Sequence, residues 1–169
     1  MAPLVEQGLK VAACIGSVTA NKNQGLVVEA MAHLRDVPVG AAFIGEGSDV
    51  LLEPARALGV ENRIVSLGYQ DAAAAWLPLA DMLIVPSKTE GQGLVVLEAF
   101  RAAVPVLASR IPALEELVED GASGMLFESD DVRSLAEGIR SMIALPAAER
   151  DALATMGRQR LVEEVTGTV

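Results

Sequence analysis

Two glutamates, Glu90 and Glu98, stand eight residues apart with Gly91, Gln92 and Gly93 between them, and Lys22 lies far upstream in a separate loop. These residue types suit the binding of a polar, phosphorylated ligand. Gly91 and Gly93 let successive backbone N–H groups point outward as an anion nest. Leu94 and Val95 add the free amides of a first helical turn. A carboxylate beside such a nest repels phosphate unless it bonds to hydroxyls, so the glutamates fit a polyol on either side. Lys22 follows Gly16 by six residues and precedes a helical stretch, where a lysine and free N–H groups neutralise phosphate together. Taken singly, each feature has an ordinary reading: surface acids, and a solvated loop lysine.

The elements that must hold these residues are legible as short apolar runs. VAACIG (11–16), VGAAFIG (39–45), RIVSLG (63–68), MLIVPS (82–87), VPVLAS (104–109) and GMLF (124–127) each have the length of a buried strand. Helical patterns separate them at 24–34, 48–59, 71–80, 93–103, 113–120 and 131–145, and a last helix is predicted over 147–165. Pro54 must sit near a helix start or bend it. Ser48 and Asp71 are candidate helix caps. The alternation predicts an α/β, Rossmann-like, doubly wound parallel sheet of six strands with helices on both faces. Right-handed crossovers would join the strands, and a single domain would span residues 1–169.

Ligands of such sheets bind beyond the carboxyl ends of the strands. That places four segments on one crevice: Gly16 and Ser17 with Lys22; Gly45 in GEGS; Gly68, Tyr69 and Gln70; and the Glu90–Glu98 string. GEGS alone is a weak signal, since a lone GxG is more often a tight turn.

Composition narrows the function classes. The chain is 51% hydrophobic but 3% aromatic, so its core is built from Ala, Val, Leu and Ile. A net charge of −10 argues against nucleic acid or an anionic membrane as main partner, while leaving room for a small anionic ligand. The only cysteine, Cys14, lies in an apolar run and reads as a core thiol, consistent with a reducing compartment. No apolar run reaches the roughly 18 residues of a membrane span, and the first residues lack the pattern of a signal peptide.

The string ADMLIVPSKTEGQGLVVLEAFRAAVPVLAS (80–109) resembles the signature of family 4 glycosyltransferases, which runs from an AD-strand-PS segment through E-G-x-G to E-A and P-V. GSVTANKNQGLVVEA, FIGEGS, NRIVSLGYQD and EDGASGMLF are similar to that family's other strand ends, so the resemblance extends from about Val11 to Val165. It implies the donor-binding C-terminal half of a two-domain GT-B enzyme whose N-terminal acceptor-binding domain is absent. It further implies retention of anomeric configuration, a nucleotide-sugar donor and no metal or other cofactor. By that likeness Glu98 holds the ribose, Glu90 holds the donor sugar as the catalytic carboxylate, and the amides of Gln92, Gly93 and Leu94 receive the diphosphate with Lys22. Main-chain groups near Gly68, Tyr69 and Gln70 read the base.

Three positions depart from the pattern. Ser17 replaces a family arginine, leaving Lys88 or Arg110 as substitutes; Gln92 replaces an aromatic residue; and Ala103 replaces a glycine. His33 falls in a helical pattern and has a surface or packing role. The resemblance implies synthesis of surface polysaccharide, lipopolysaccharide or glycolipid. It places the protein in the cytoplasm, or at the inner face of the membrane through the absent domain. The alternative is a non-catalytic, stand-alone nucleotide-binding module.

Overall fold

Short aliphatic strands that are apolar on both faces need cover on both faces, and the fold supplies it. The computed structural model describes residues 1–167. Its strands are β1 (Lys10–Ile15), β2 (Val39–Ile44), β3 (Ile64–Gly68), β4 (Met82–Val85), β5 (Val106–Ser109) and β6 (Met125–Phe127). They form one sheet in the order β3-β2-β1-β4-β5-β6, and every pairing is parallel. The helices are α1 (Ala2–Glu6), α2 (Gly25–Ala32), α3 (Leu52–Ala57), α4 (Leu94–Arg101), α5 (Pro112–Leu117), α6 (Val132–Ala144) and α7 (Ala147–Thr166).

Successive strand residues alternate between two cores, as the period of a strand requires. Ala12, Cys14, Ala41, Phe43, Met82 and Ile84 face Val27, Met31, Leu135 and Ile139 of α2 and α6. Val11, Ala13, Ala42, Ile44, Leu83 and Val85 face Leu4, Val96, Phe100 and Leu114 on α1, α4 and α5. The expected six-stranded doubly wound sheet is therefore the observed one. Asp131 caps α6 by accepting from the Ser134 amide at 3.0 Å.

The departures are local. The stretch predicted as a helix over 71–80 is a 3-10 helix at Ala73–Leu79, because Pro78 inside it supplies no amide for α-helical bonding. Its first flanking residue is Ala72, so Asp71 caps nothing. The pattern at 48–59 divides into a 3-10 turn at Ser48–Leu51 and then α3, with Pro54 in the first turn of α3. Ser48 is not a cap either. Its hydroxyl meets that of Ser66 at 2.6 Å and accepts from the Gly68 amide at 2.9 Å, tying β3 to the chain after β2. Helix α5 is shorter than 113–120, and α1 was not foreseen. Residues 168–169 of the expected domain lie outside the described residues.

Candidate functional site

Strand β1 lies beside β4, yet the chain leaves β1 towards β2 and leaves β4 towards β5. Their exit loops part and open a crevice at the switch point. Gly16, the residue after β1, has φ +140°, a conformation that side chains rarely adopt. Gln24, 2% exposed, donates from Nε2 to the carbonyls of Gly16 at 3.3 Å and Ser17 at 3.0 Å, fixing this exit from below. A Cβ on Gly45 would lie 2.0 Å from the Gly16 carbonyl oxygen, so the glycine there serves a contact between two backbones.

The loop after β4 returns to the loop after β1. Lys22 Nζ lies 2.7 Å from Glu90 Oε1, and the buried Ser87 hydroxyl donates to the same oxygen at 2.9 Å. The Glu90 side chain is only 9% exposed, so the carboxylate is held by one cation and one hydroxyl. Beside this pair, the Asn21 side chain accepts from the Thr89 amide at 3.1 Å and hydroxyl at 2.7 Å, and donates to the Thr89 carbonyl at 3.1 Å. Under Lys22, burial pushes the Cys14 thiol up to about 12, with the Lys22 ammonium acting weakly in the other direction.

Helix α4 begins at the crevice. Gly93 precedes it at φ +61°, a left-handed conformation, and a Cβ there would meet Leu117 Cδ1 at 2.6 Å. Gly91 does not share that conformation. The opening amides of α4, from Leu94 and Val95, have no intrahelical acceptor. Gly16, Lys22, Glu90, Gln92, Gly93, Leu94 and Glu98 line one cavity of about 390 Å³, with Ile15 and Val95 as its apolar wall. A cation, two carboxylates and a helix N-terminus thus meet in a space suited to a phosphate flanked by hydroxyl groups.

The other predicted residues lie outside that cavity's lining. Gly91 lines a neighbouring cavity of about 420 Å³ with Lys88, Thr89 and Glu90, so Glu90 stands between the two. Ser17 is exposed at the crevice rim. Tyr69 is 70% exposed. Gln70 turns its amide back onto the Leu67 carbonyl at 2.9 Å, which leaves the main chain there as the available surface. Gly68, at φ +64°, donates to Ser48 and accepts from the Gly45 amide.

Neither substitute cation joins Lys22. Arg110 is bound to Asp120 at 2.9 Å and Glu128 at 3.1 Å, and the Asp120 hydrogen bond raises its pKa. Lys88 faces Asp130 at 3.9 Å, and Asn23 donates to the same carboxylate at 3.0 Å. His33 ends α2 on the exposed surface, away from the cavity's lining. Among the described residues, no three His, Cys, Asp or Glu side chains are grouped to hold a metal ion. No described helix is long and apolar enough to cross a membrane. Sequence reading missed Asn21, Ser87, Thr89 and Gln24. Only the adjacency of Asn21 to Lys22, and of Ser87 and Thr89 to the Glu90 string, could have drawn attention to them.

Residues 9–144 match the family model described as glycosyl transferases group 1. The chain is 29% identical over 148 residues to the lipopolysaccharide core biosynthesis glycosyltransferase LpsE of Rhizobium meliloti, covering 88% of this chain and 43% of that protein. It spans less than half the length of the curated relatives it matches. Its fold matches HepE of Anabaena in complex with UDP at a TM-score of 0.82 and 20% identity, over 99% of this chain and 53% of that one. It also matches the C-terminal domain of the group 1 glycosyl transferase LpcC of Francisella tularensis at 0.80 and 21% identity, over 96% of this chain and 90% of that one. The family match over most of the chain leads to one conclusion: the chain belongs to the group 1 glycosyl transferases.

Proposed function

We propose that this chain is the nucleotide-sugar-binding half of a retaining glycosyltransferase that builds surface polysaccharide, lipopolysaccharide or glycolipid. The observation that carries the reading is the shared cavity: Lys22, Glu90, Glu98 and the start of α4 all line one crevice at the switch point. The diphosphate lies on the amides of Gln92, Gly93 and Leu94, with Lys22 as its cation. Glu98, on the second turn of α4, accepts from the ribose hydroxyls. Glu90 accepts from hydroxyls of the transferred sugar and faces the reacting carbon as the catalytic carboxylate. Main-chain groups from Gly68 to Gln70 read the base, with Gly16, Ser17 and Gly45 shaping the crevice floor and rim and Gly91 giving the loop its freedom. No metal takes part; amides and Lys22 supply the positive potential.

The UDP complex of HepE and the name of LpsE support this assignment. The match to most of the LpcC C-terminal domain supports a GT-B architecture in which a second, acceptor-binding domain closes the crevice. The enzyme then works in the cytoplasm, at the inner membrane face where that domain brings it. Alone, the 169-residue chain transfers no sugar. Calorimetric titration with UDP, GDP and ADP tests the reading: one of them binds, and competes with its own sugar conjugate. Absence of binding by all three overturns it.

A further inference from the structure

Asn21 and Thr89 are both exposed, so burial does not hold their loops together. Four hydrogen bonds do. Three connect the Asn21 carboxamide to Thr89, and the fourth runs from the Lys88 amide to the Asn21 carbonyl at 2.8 Å. The next residue on each loop of this junction belongs to the Lys22–Glu90 pair. A one-residue slip between the loops would therefore separate Lys22 from Glu90. The Asn21 carboxamide carries a separate acceptor and donor, so it accepts from the N–H and donates to the C=O of the same residue. Downstream of Thr89, Gly91 and Gln92 are exposed, and the loop is next buried at Gly93. Upstream, Ser87 is buried. The clamp thus grips the middle of a short span whose ends are already anchored, and Glu90 is the functional residue within it.

We propose that Asn21 is a positioning residue for the donor sugar: it sets the register in which the Glu90 carboxylate is presented beside Lys22. The proposal rests on the reading of Glu90 as the sugar-binding carboxylate. Its mechanism is entropic. Each bond at an exposed site contributes modestly, but together they confine Glu90 before the sugar arrives, and a preorganised group loses less freedom on binding. Nucleoside diphosphate shares Lys22 but not the sugar subsite, and the amides of Gly93 and Leu94 that hold it begin where the loop is buried again, beyond the clamped span, so it gains less from this confinement.

Two measurements on the 169-residue chain test it. First, hydrogen–deuterium exchange of the ligand-free Asn21→Ala variant should speed the Lys88 and Thr89 amides about tenfold or more, with the strands unchanged. Unchanged exchange there overturns the proposal without any ligand. Second, calorimetry compares UDP, GDP and ADP with UDP-glucose, GDP-mannose and ADP-glucose. Asn21→Ala should weaken the sugar conjugate about five- to tenfold more than the matching diphosphate. Thr89→Val, which removes one bond of the clamp, should give a smaller loss in the same direction, and Thr89→Ser should behave as the parent. Equal losses for both ligand types assign Asn21 a merely structural role and overturn the proposal. Failure of the parent chain to bind any diphosphate overturns the reading of the site instead.

Discussion

Lys22 Nζ and Glu90 Oε1 lie 2.7 Å apart, joining the loop after β1 to the loop after β4 across the switch point of the sheet. Each group is also a proposed ligand contact: Lys22 for the diphosphate and Glu90 for the sugar. The two groups hold each other in place, so on the proposed reading a diphosphate entering the cavity competes with Glu90 for the ammonium.

Lys22→Ala should therefore weaken nucleoside diphosphate binding by about 1–3 kcal/mol, the scale of a hydrogen bond to a charged group. Its effect on folding should stay within about 1 kcal/mol, because the Lys22 side chain is 37% exposed and Glu90 keeps the Ser87 hydroxyl. Calorimetry and urea denaturation measure the two quantities. Equal affinities for variant and parent would remove Lys22 from the diphosphate site.

Gly45→Ala should act on the fold and on the crevice at once. The added Cβ would sit 2.0 Å from a backbone oxygen, and no side-chain rotation relieves that contact. One strand end must move, at a cost on the order of 2–3 kcal/mol. Urea denaturation should show this loss, and calorimetry should show weakened nucleotide binding. A variant as stable as the parent would contradict the observed approach of β2 to β1.

Cys14 should make the chain sensitive to alkali. Burial pushes its folded pKa up to about 12, above the ordinary thiol value of 9.0, so unfolding above pH 9.0 releases a proton that the folded state retains. Stability from this group is full below the unfolded pKa and falls as pH rises towards the folded one, by at most about 1.4 kcal/mol per pH unit. Denaturation curves at pH 8 to pH 10.5 should show a smaller decline in Cys14→Ala than in the parent. Identical slopes would indicate an accessible thiol.

The sheet was legible because each strand is a short apolar run bounded by Gly, Pro or Ser, and the run of MLIV into PSKTEGQG placed Glu90 correctly after β4. What failed was local. Ala-rich 73–79 reads as helix, but Pro78 and the lack of a cap leave it as 3-10. Ser48 sits at a cap-like position yet bonds across to Ser66, a partner 18 residues away that no spacing rule anticipates. Asn21 was invisible for the same reason: its partner Thr89 is 68 residues distant. Arg110 and Lys88 showed their charge in the sequence but not the carboxylates that engage them.

The most direct test of the account separates the two glutamates. Glu98 is assigned to the ribose, which every nucleotide carries, and Glu90 to the sugar, which free nucleotide lacks. Calorimetry of Glu98→Ala and Glu90→Ala should be run with a nucleoside diphosphate and with its sugar conjugate. The account predicts that Glu98→Ala weakens both ligands by about 1–3 kcal/mol, while Glu90→Ala weakens only the conjugate by a similar amount and leaves the diphosphate bound as tightly or more tightly, because Lys22 is released from its partner. Equal losses for both ligands in Glu90→Ala, or no loss in either variant, would contradict it.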